Sequence, residues 1–361
     1  MKTREIVIPG PVAPEGVQLR ERELGGPGPG EVIVAMEATG VSFAEVQMLR
    51  GRYPGQPSFP FVPGYDLVGR VIEVGAGVDR SLTGRRVATM TETGGWSEYV
   101  ILRAGELVSI PEDLDPCEVD TLIVNGVTAY KMLHRVARVR FGQTIVVHGA
   151  GGGVGTMLLQ LAKLAGVRAI GTCRPSQRAA VEALGARVVD YTRGRVLADT
   201  RALAPGGVDA VFDHVGGDSL RTSFAMLRPG GTLVSYGSAS TSGNKGGSAW
   251  APILRSMALA VLWNLRPGGR RMKVFDVWGR GSFGADRIFR PGRFWRELRD
   301  DLGTLIDLMK SGELRAHVAR RVPLADAGAA LAEHRRGAFT GKIVLEGSKA
   351  DSHAPARMCS A

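Results

Sequence analysis

A strand that runs straight into a glycine loop and then into a helix constrains this chain more than any other feature. Thr144-Ile145-Val146-Val147 is a short, mostly β-branched run. His148-Gly149-Ala150-Gly151-Gly152-Gly153-Val154-Gly155 follows at once, and residues 154–165 carry helical apolar spacing. Strand, glycine turn and helix in that order make the first half of a βαβ unit, the building block of a doubly wound parallel sheet. Four more strands are expected at 168–172, 187–191, 208–213 and 232–236, with helices between them. Five parallel strands are thus expected within about residues 144–238.

The first hundred residues have another texture. Short strands are expected at 31–38, 66–74, 86–89 and 96–102, and near the N-terminus, punctuated by glycine and proline, as in a small, mostly β barrel-like domain. At 361 residues the chain exceeds what one core usually serves, so two domains sharing a cleft are expected. We divide it into residues 1–120, a first part of the β domain; 121–312, the sheet domain; and 313–346, where strand 318–322, helix 325–334 and strand 342–345 return to the β domain. Within the sheet domain, 240–291 reads as a long, glycine-rich, basic insert holding an apolar helix at 253–265, followed by an amphipathic helix at 294–310. The polar tail 347–361 is expected to be disordered.

Bulk properties exclude several classes. Apolar residues at 44% and charged residues at 22% suit a globular chain. Cys117, Cys173 and Cys359 show no CxxC spacing, which supports neither a disulfide framework nor a zinc module and fits a reducing cytoplasm. No signal-peptide layout opens the chain. The apolar run 250–265 is broken by Pro252, Arg255 and Asn264 and falls short of the roughly 20 residues that span a bilayer, so no transmembrane segment is expected. The net charge of +11 reads as an arginine-rich solvated surface; aromatics do not interleave with the basic runs, so nucleic acid is not expected as a partner.

Glycines suit a turn that must be tight, must bring backbone N–H groups against a pyrophosphate, and must let helix and strand pack closely. Gly149, Gly152, Gly153, Val154 and Gly155 are therefore the expected dinucleotide cradle. An NAD-type site would place an acid at the end of the second strand, but Gly171-Thr172-Cys173-Arg174-Pro175-Ser176-Gln177-Arg178 holds none. Arg174, Ser176 and Arg178 suit a 2′-phosphate, and Tyr191, ending the third strand, is counted with them; NADPH is the expected cofactor. A solvated helix face is the competing reading of the two arginines.

Six stretches together resemble the medium-chain dehydrogenase/reductase superfamily, and within it the zinc-independent quinone oxidoreductase branch. They are Glu37-Ala-Thr-Gly-Val-Ser-Phe-Ala-Glu45, Gly51-Arg-Tyr-Pro-Gly55, Pro63-Gly-Tyr-Asp66, Thr128-Ala-Tyr130, the loop Gly149 to Gly155, and Gly341-Lys-Ile-Val-Leu345. The resemblance covers about residues 1–346. It implies an α/β architecture, a Rossmann doubly wound parallel sheet plus a GroES-like mostly β barrel domain, and reduction of a quinone, enone or enoyl-type conjugated substrate. The stretch 236–294 is similar in length and apolar character to that of vesicle-amine-transport-protein-like and reticulon-interacting members. Ser42-Phe43 stands where zinc-bearing relatives have a cysteine, and Tyr65 where they have a histidine. The four-cysteine lobe is missing, since Met90 leads through Gly95 straight to Trp96. No metal is expected.

Without a metal, a conjugated substrate needs positioning and one proton donor. The resemblance points to Tyr53 as that donor, and to Asn125 and Thr128 beside the nicotinamide, as catalytic residues. A loop aromatic, for Tyr53, and helix capping, for the other two, are the competing readings. Ser42 and Tyr65 are candidates for the substrate pocket, and Tyr65 equally suits a plug in a vacated metal pocket. His148 and His214 are read as packing residues. A homodimer is expected, from relatives that pair their Rossmann domains and from the apolar run 253–265, with membrane-surface docking as the alternative for that run. The alternative function is an NADPH-binding regulatory or partner protein with little reductase activity.

Overall fold

β-branched runs between glycine and proline turns become strands, and the apolar stripes after them become helices that cover the sheets. The computed structural model describes residues 1–241, 250–279, 291–337 and 339–347. The tail from residue 348, and the parts of the 240–291 stretch at 242–249 and 280–290, lie outside the described residues.

The chain begins with β1 (Lys2–Val7), β2 (Gln18–Glu23), β3 (Glu31–Val41), α1 (Phe43–Met48), β4 (Asp66–Val74), β5 (Arg86–Met90), β6 (Tyr99–Arg103) and β7 (Val108–Ser109). A helical passage follows, with α2 (Pro116–Thr121) and α3 (Val127–Tyr130) joined and prolonged by π-helical turns at Leu122–Gly126 and Lys131–Ala137. The alternating part is β8 (Thr144–His148), α4 (Gly153–Leu164), β9 (Arg168–Cys173), α5 (Arg178–Ala183), β10 (Arg187–Asp190), α6 (Val196–Leu203), β11 (Val208–Asp213), α7 (Ser219–Met226), β12 (Leu227–Ser235), α8 (Ala251–Asn264) and β13 (Arg271–Val274). Then come α9 (Pro291–Lys310), β14 (Val318–Pro323), α10 (Ala327–Arg336) and β15 (Lys342–Glu346).

Among the described residues β8 to β13 form a six-stranded sheet, parallel throughout, in the order β10-β9-β8-β11-β12-β13. The order reverses beside β8, so the glycine loop at its carboxyl end opens into the crevice where doubly wound sheets bind ligands. β8 to β12 are the five strands expected, and β13, in the stretch read as an insert, adds a sixth. Arg271-Met272-Lys273-Val274 has two cations in four residues and follows a Pro-Gly-Gly turn, so it reads as basic loop until β12 is there to pair it. Two boundaries also shift: Tyr191 falls just after β10, and Trp96 precedes β6, its indole N–H donating to the Gly40 carbonyl at 3.0 Å.

β13 is an edge strand among the described residues, and one residue on its outer side is bonded locally. Phe275 N–H bonds Ser235 O at 2.8 Å, so Met272, three residues before, turns its backbone groups away from β12. The Asn264 amide takes up both: its Oδ1 accepts from Met272 N at 2.7 Å and its Nδ2 donates to Met272 O at 3.1 Å.

β14 and β15 join the sheet of the first domain, in the order β14-β15-β3-β4-β5-β7 with β6 on β3. One buried ion cluster locks that return. Lys342 Nζ lies 2.7 Å from Asp66 Oδ2 on β4 and 2.7 Å from Asp120 Oδ2 on α2, with all three side chains buried. Gly40 makes room for it, since a Cβ there would come within 2.0 Å of Lys342 Cε. Burial disfavours the ammonium, but the two carboxylates outweigh it and hold Lys342 above its ordinary pKa; burial and the neighbouring Asp66 push Asp120 well up. Removing the cation strands two buried carboxyls. Lys342→Met is therefore expected to lower stability by about 3–5 kcal/mol, read as a fall in the urea midpoint at neutral pH; an unchanged midpoint would show that the cluster is not coupled to folding.

Candidate active site

The glycine loop has the shape of an anion cradle. β8 ends at His148, Gly149 takes φ +63°, and α4 starts at Gly153. A Cβ on Gly155 would come within 2.4 Å of the Gly149 carbonyl, and one on Gly153 within 2.1 Å of Asn125 Nδ2. Only bare backbone fits, and the first-turn N–H groups of a twelve-residue helix, with Val154 half-buried among them, face the crevice mouth.

Beyond β9 the side chains divide. Arg174 Nε donates to the Tyr191 hydroxyl at 2.7 Å, and its Nη1 to the Arg336 carbonyl at 3.1 Å, so Arg174 and Tyr191 stand together over the last turn of α10. Arg178 turns to Glu182 at 2.9 Å, and Ser176 is exposed nearby. Arg336 was not singled out in the sequence, where it is one of three consecutive helix-end cations or histidine with nothing to mark its neighbour. The segment ahead of β15 also reaches the loop: Gly341 N–H bonds Gly151 O at 2.9 Å, and Gln177 Nε2 bonds Phe339 O at 2.6 Å.

On the β domain, the hydroxyls of Tyr53 and Tyr65 are hydrogen-bonded to each other, with their rings edge to face at 5.7 Å. Tyr65 is 5% exposed and pinned on both sides: Gly64, at φ +110°, leaves no room for a Cβ against the Trp96 backbone, and Asp66 is held by Lys342. Its ring meets Trp278 at 5.2 Å, and Trp278 stacks on Phe294 at 6.4 Å. Trp278 and Phe294 come from beyond β13, so these wall residues are brought in by tertiary structure that no local pattern signals. Tyr65 therefore both fills space and presents a hydroxyl.

The Leu122–Gly126 turn packs against β4 and β5 on one side and α4 on the other. Asn125 and Thr128, both buried, lie inside one continuous helical passage whose N-cap is Asp115, so neither caps a helix. The wider π turn places Asn125 against Gly153, at the junction of the two domains. Gln47 on α1 donates to Ser238 Oγ at 3.3 Å across the same junction.

Ser42 is the N-cap of α1. Its N–H donates to Glu45 Oε2 at 2.8 Å, its hydroxyl bonds that same carboxylate, and it accepts from Ala44 N at 3.2 Å. Its hydroxyl thereby serves as the cap of the helix. His148 is a packing residue with a defined tautomer: Ser223 Oγ donates to Asp213 at 2.6 Å and so accepts from His148 Nε2 at 2.9 Å, leaving Nδ1 for the Thr172 hydroxyl at 3.1 Å. His214 lies under Gly149, where a Cβ would come within 2.4 Å of its ring.

Two family models match the chain, "Alcohol dehydrogenase GroES-like domain" over residues 28–112 and "Zinc-binding dehydrogenase" over 184–345. The 2-haloacrylate reductase of Burkholderia sp is 31% identical over 333 residues, covering 88% of this chain and 91% of that protein. The chain belongs to the zinc-independent quinone oxidoreductase branch of the medium-chain dehydrogenase/reductase superfamily. Within that branch, the human synaptic vesicle membrane protein VAT-1 homolog is 29% identical over 88% of this chain and 79% of its own length, whereas the rat and mouse forms are matched over 57% of theirs. The Escherichia coli quinone oxidoreductase complexed with NADPH superposes with a TM-score of 0.81 at 25% identity, over 95% of this chain and 99% of that one.

The name of the second family model implies zinc, and the donor set here does not fit it. Tyr65 is a phenol bonded to Tyr53, Ser42 is a helix cap, and among the described residues no three His, Cys, Asp or Glu side chains come together where an ion could sit.

Glu45 is fully buried beside Asp66. Burial is the main cause that pushes its pKa from 4.5 up to about 7, the Asp66 charge adds to it, and the Ser42 hydrogen bonds oppose it. A carboxyl raised by folding stabilises most below its unfolded pKa, and that contribution is lost as the pH rises through the folded value. Glu45→Gln, which keeps the shape and cannot ionise, is expected to flatten the wild-type decline in stability between about pH 4.5 and 7, worth about 3 kcal/mol at most. Parallel stability profiles for the two proteins, measured by urea melts, would remove this assignment.

Proposed function

We propose that the chain is an NADPH-dependent reductase of conjugated carbonyl compounds, quinones or enones, that works without a metal. The observation that carries this reading is the Tyr53–Tyr65 hydroxyl pair, which offers a phenol donor beside an aromatic wall at the position where zinc-bearing relatives hold a ligand. The printed names of its relatives, a 2-haloacrylate reductase and a quinone oxidoreductase complexed with NADPH, support the same substrate class and cofactor.

When bound, the nicotinamide supplies hydride. The glycine loop and the first turn of α4 would hold the pyrophosphate, and Arg174, set against Tyr191, would bind the 2′-phosphate together with Ser176 and Arg178. Asn125, lodged against Gly153, and Thr128, one turn on, would orient the carboxamide end at the domain junction. Tyr53 donates its hydroxyl hydrogen to the substrate oxygen as negative charge develops there, and Tyr65, bonded to it, sets the direction of that hydroxyl. Tyr65 and Trp278, both buried, keep water off the reacting face.

Titration is expected to show NADPH bound at least tenfold more tightly than NADH, about 1.4 kcal/mol, with Arg174→Ala narrowing the gap; equal affinities in the wild type would refute the phosphate site. Tyr53→Phe keeps the ring and is expected to lower enone turnover by about 10²-fold with NADPH affinity unchanged. A quinone, whose reduced form takes protons readily from water, should lose less. Undiminished enone turnover would make Tyr53 a wall residue, and NADPH binding with no oxidation on either substrate panel would overturn the reductase reading in favour of a cofactor-binding regulatory protein.

A further inference from the structure

A cavity of about 240 Å3 lies among α1, the turn Pro14–Gly16 and the end of α10, and none of its lining residues belongs to the site described above. Its walls are set by backbone. Val12 N–H bonds the Leu49 carbonyl at 2.9 Å, and α10 comes so close to the turn that a Cβ on Gly328 would lie within 2.9 Å of the Pro14 carbonyl oxygen. The floor is apolar: Val46 and Leu49 are buried, and so is Pro14, with Val12 half-buried beside them.

Two cations complete the lining, Arg50 just past α1 and Arg335 in the last turn of α10. Both are exposed, and neither guanidinium has an ion pair or a hydrogen bond among the described residues. The neighbouring acids do not neutralise them. Glu45 is buried on Ser42, Glu333 faces Arg320 at 3.7 Å, and Glu15, beside Pro14, is exposed and outside the lining. An apolar floor under two guanidiniums, with no acid in the wall, suits an alkyl chain that ends in a carboxylate, whose two oxygens accept from the two cations. At about 30 Å3 for each water-sized group, the space takes about eight heavy atoms, the size of hexanoate.

We propose that this cavity is a second ligand site, which takes a short aliphatic carboxylate with its tail against Val46 and Leu49 and its oxygens on Arg50 and Arg335. The site shares no residue with the crevice yet touches the chain on either side of it. Arg50 comes three residues before Tyr53, and Arg335 precedes Arg336, whose carbonyl supports Arg174. The occupant therefore bridges the segment leading to Tyr53 and the helix end beneath Arg174.

Calorimetric titration of the full chain, with NADPH present to fill the crevice, tests this with hexanoate, butanoate and hexanol. Hexanoate is expected to bind one per chain with a Kd in the range of about 1–10 mM, as befits so small a ligand. Butanoate, two methylenes shorter, should bind about tenfold more weakly, and hexanol, without the charge, should give no saturable heat. Arg50→Gln with Arg335→Gln should weaken hexanoate at least tenfold, about the loss of one charge-assisted contact. Ala13→Phe, which fills the cavity from its exposed wall, should abolish binding. Urea midpoints equal to that of the wild type show that both variants fold. Because the readout is binding and not turnover, it stands apart from the reductase reading. No saturable hexanoate binding up to about 50 mM overturns the proposal. So does wild-type affinity retained in both variants, which would put the hexanoate elsewhere on the molecule.

Discussion

Lys342 belongs to the last strand of the chain, and the two carboxylates that hold it come from β4 and from the first turns of the central helical passage. No water reaches the three groups, so each depends on the others for its charge. Much of the β domain follows from that contact. It ties the returning segment to the sheet it completes, and it requires Gly40 to have no side chain. It also fixes Asp66, whose neighbour Tyr65 carries the hydroxyl bonded to Tyr53. A fourth group, Glu45, lies within the field of Asp66. Burial, with the Asp66 charge adding to it, pushes both Glu45 and Asp120 up.

The shape of the glycine loop was legible because its requirement is local: backbone must pass where a Cβ would collide, and glycine is then the one residue that serves. The same holds for the strands of the alternating region, where β-branched runs sit between turn residues. The cap formed by Ser42 was legible too. Ser42-Phe43-Ala44-Glu45 has the serine-x-x-glutamate spacing of a capping box, and α1 begins there. β13 and the aromatic wall were not legible. Two of four residues in β13 are cations, and Trp278 and Phe294 matter through their approach to Tyr65, some two hundred residues earlier. Arg336 came into view as a backbone carbonyl beneath Arg174, and no residue type announces where a carbonyl will point.

The two domains are joined by more than the helical passage. Gly341 and Phe339, on the way into β15, bond to the glycine loop and to Gln177 beside it. The strand that completes one sheet is therefore threaded along the ligand-binding edge of the other. A shift of the cradle would be felt first at the residue next to Lys342, so the buried ion cluster and the crevice share a mechanical boundary one peptide wide.

The π-helical turn at Leu122–Gly126 holds one more residue per hydrogen-bonded ring than an α-helix does. Its extra residue acts as a phase-setter. An α-helix advances by about 100° per residue, so a chain shorter by one residue here could close an ordinary turn, but everything after it would be rotated by that angle about the axis. Lys131, whose ammonium lies 5.3 Å from the Phe294 ring centre, would lose its place against that ring. The passage thus carries a timing element in its length: substitutions within it can be absorbed by packing, whereas a single-residue deletion would put the parts before and after the turn out of step.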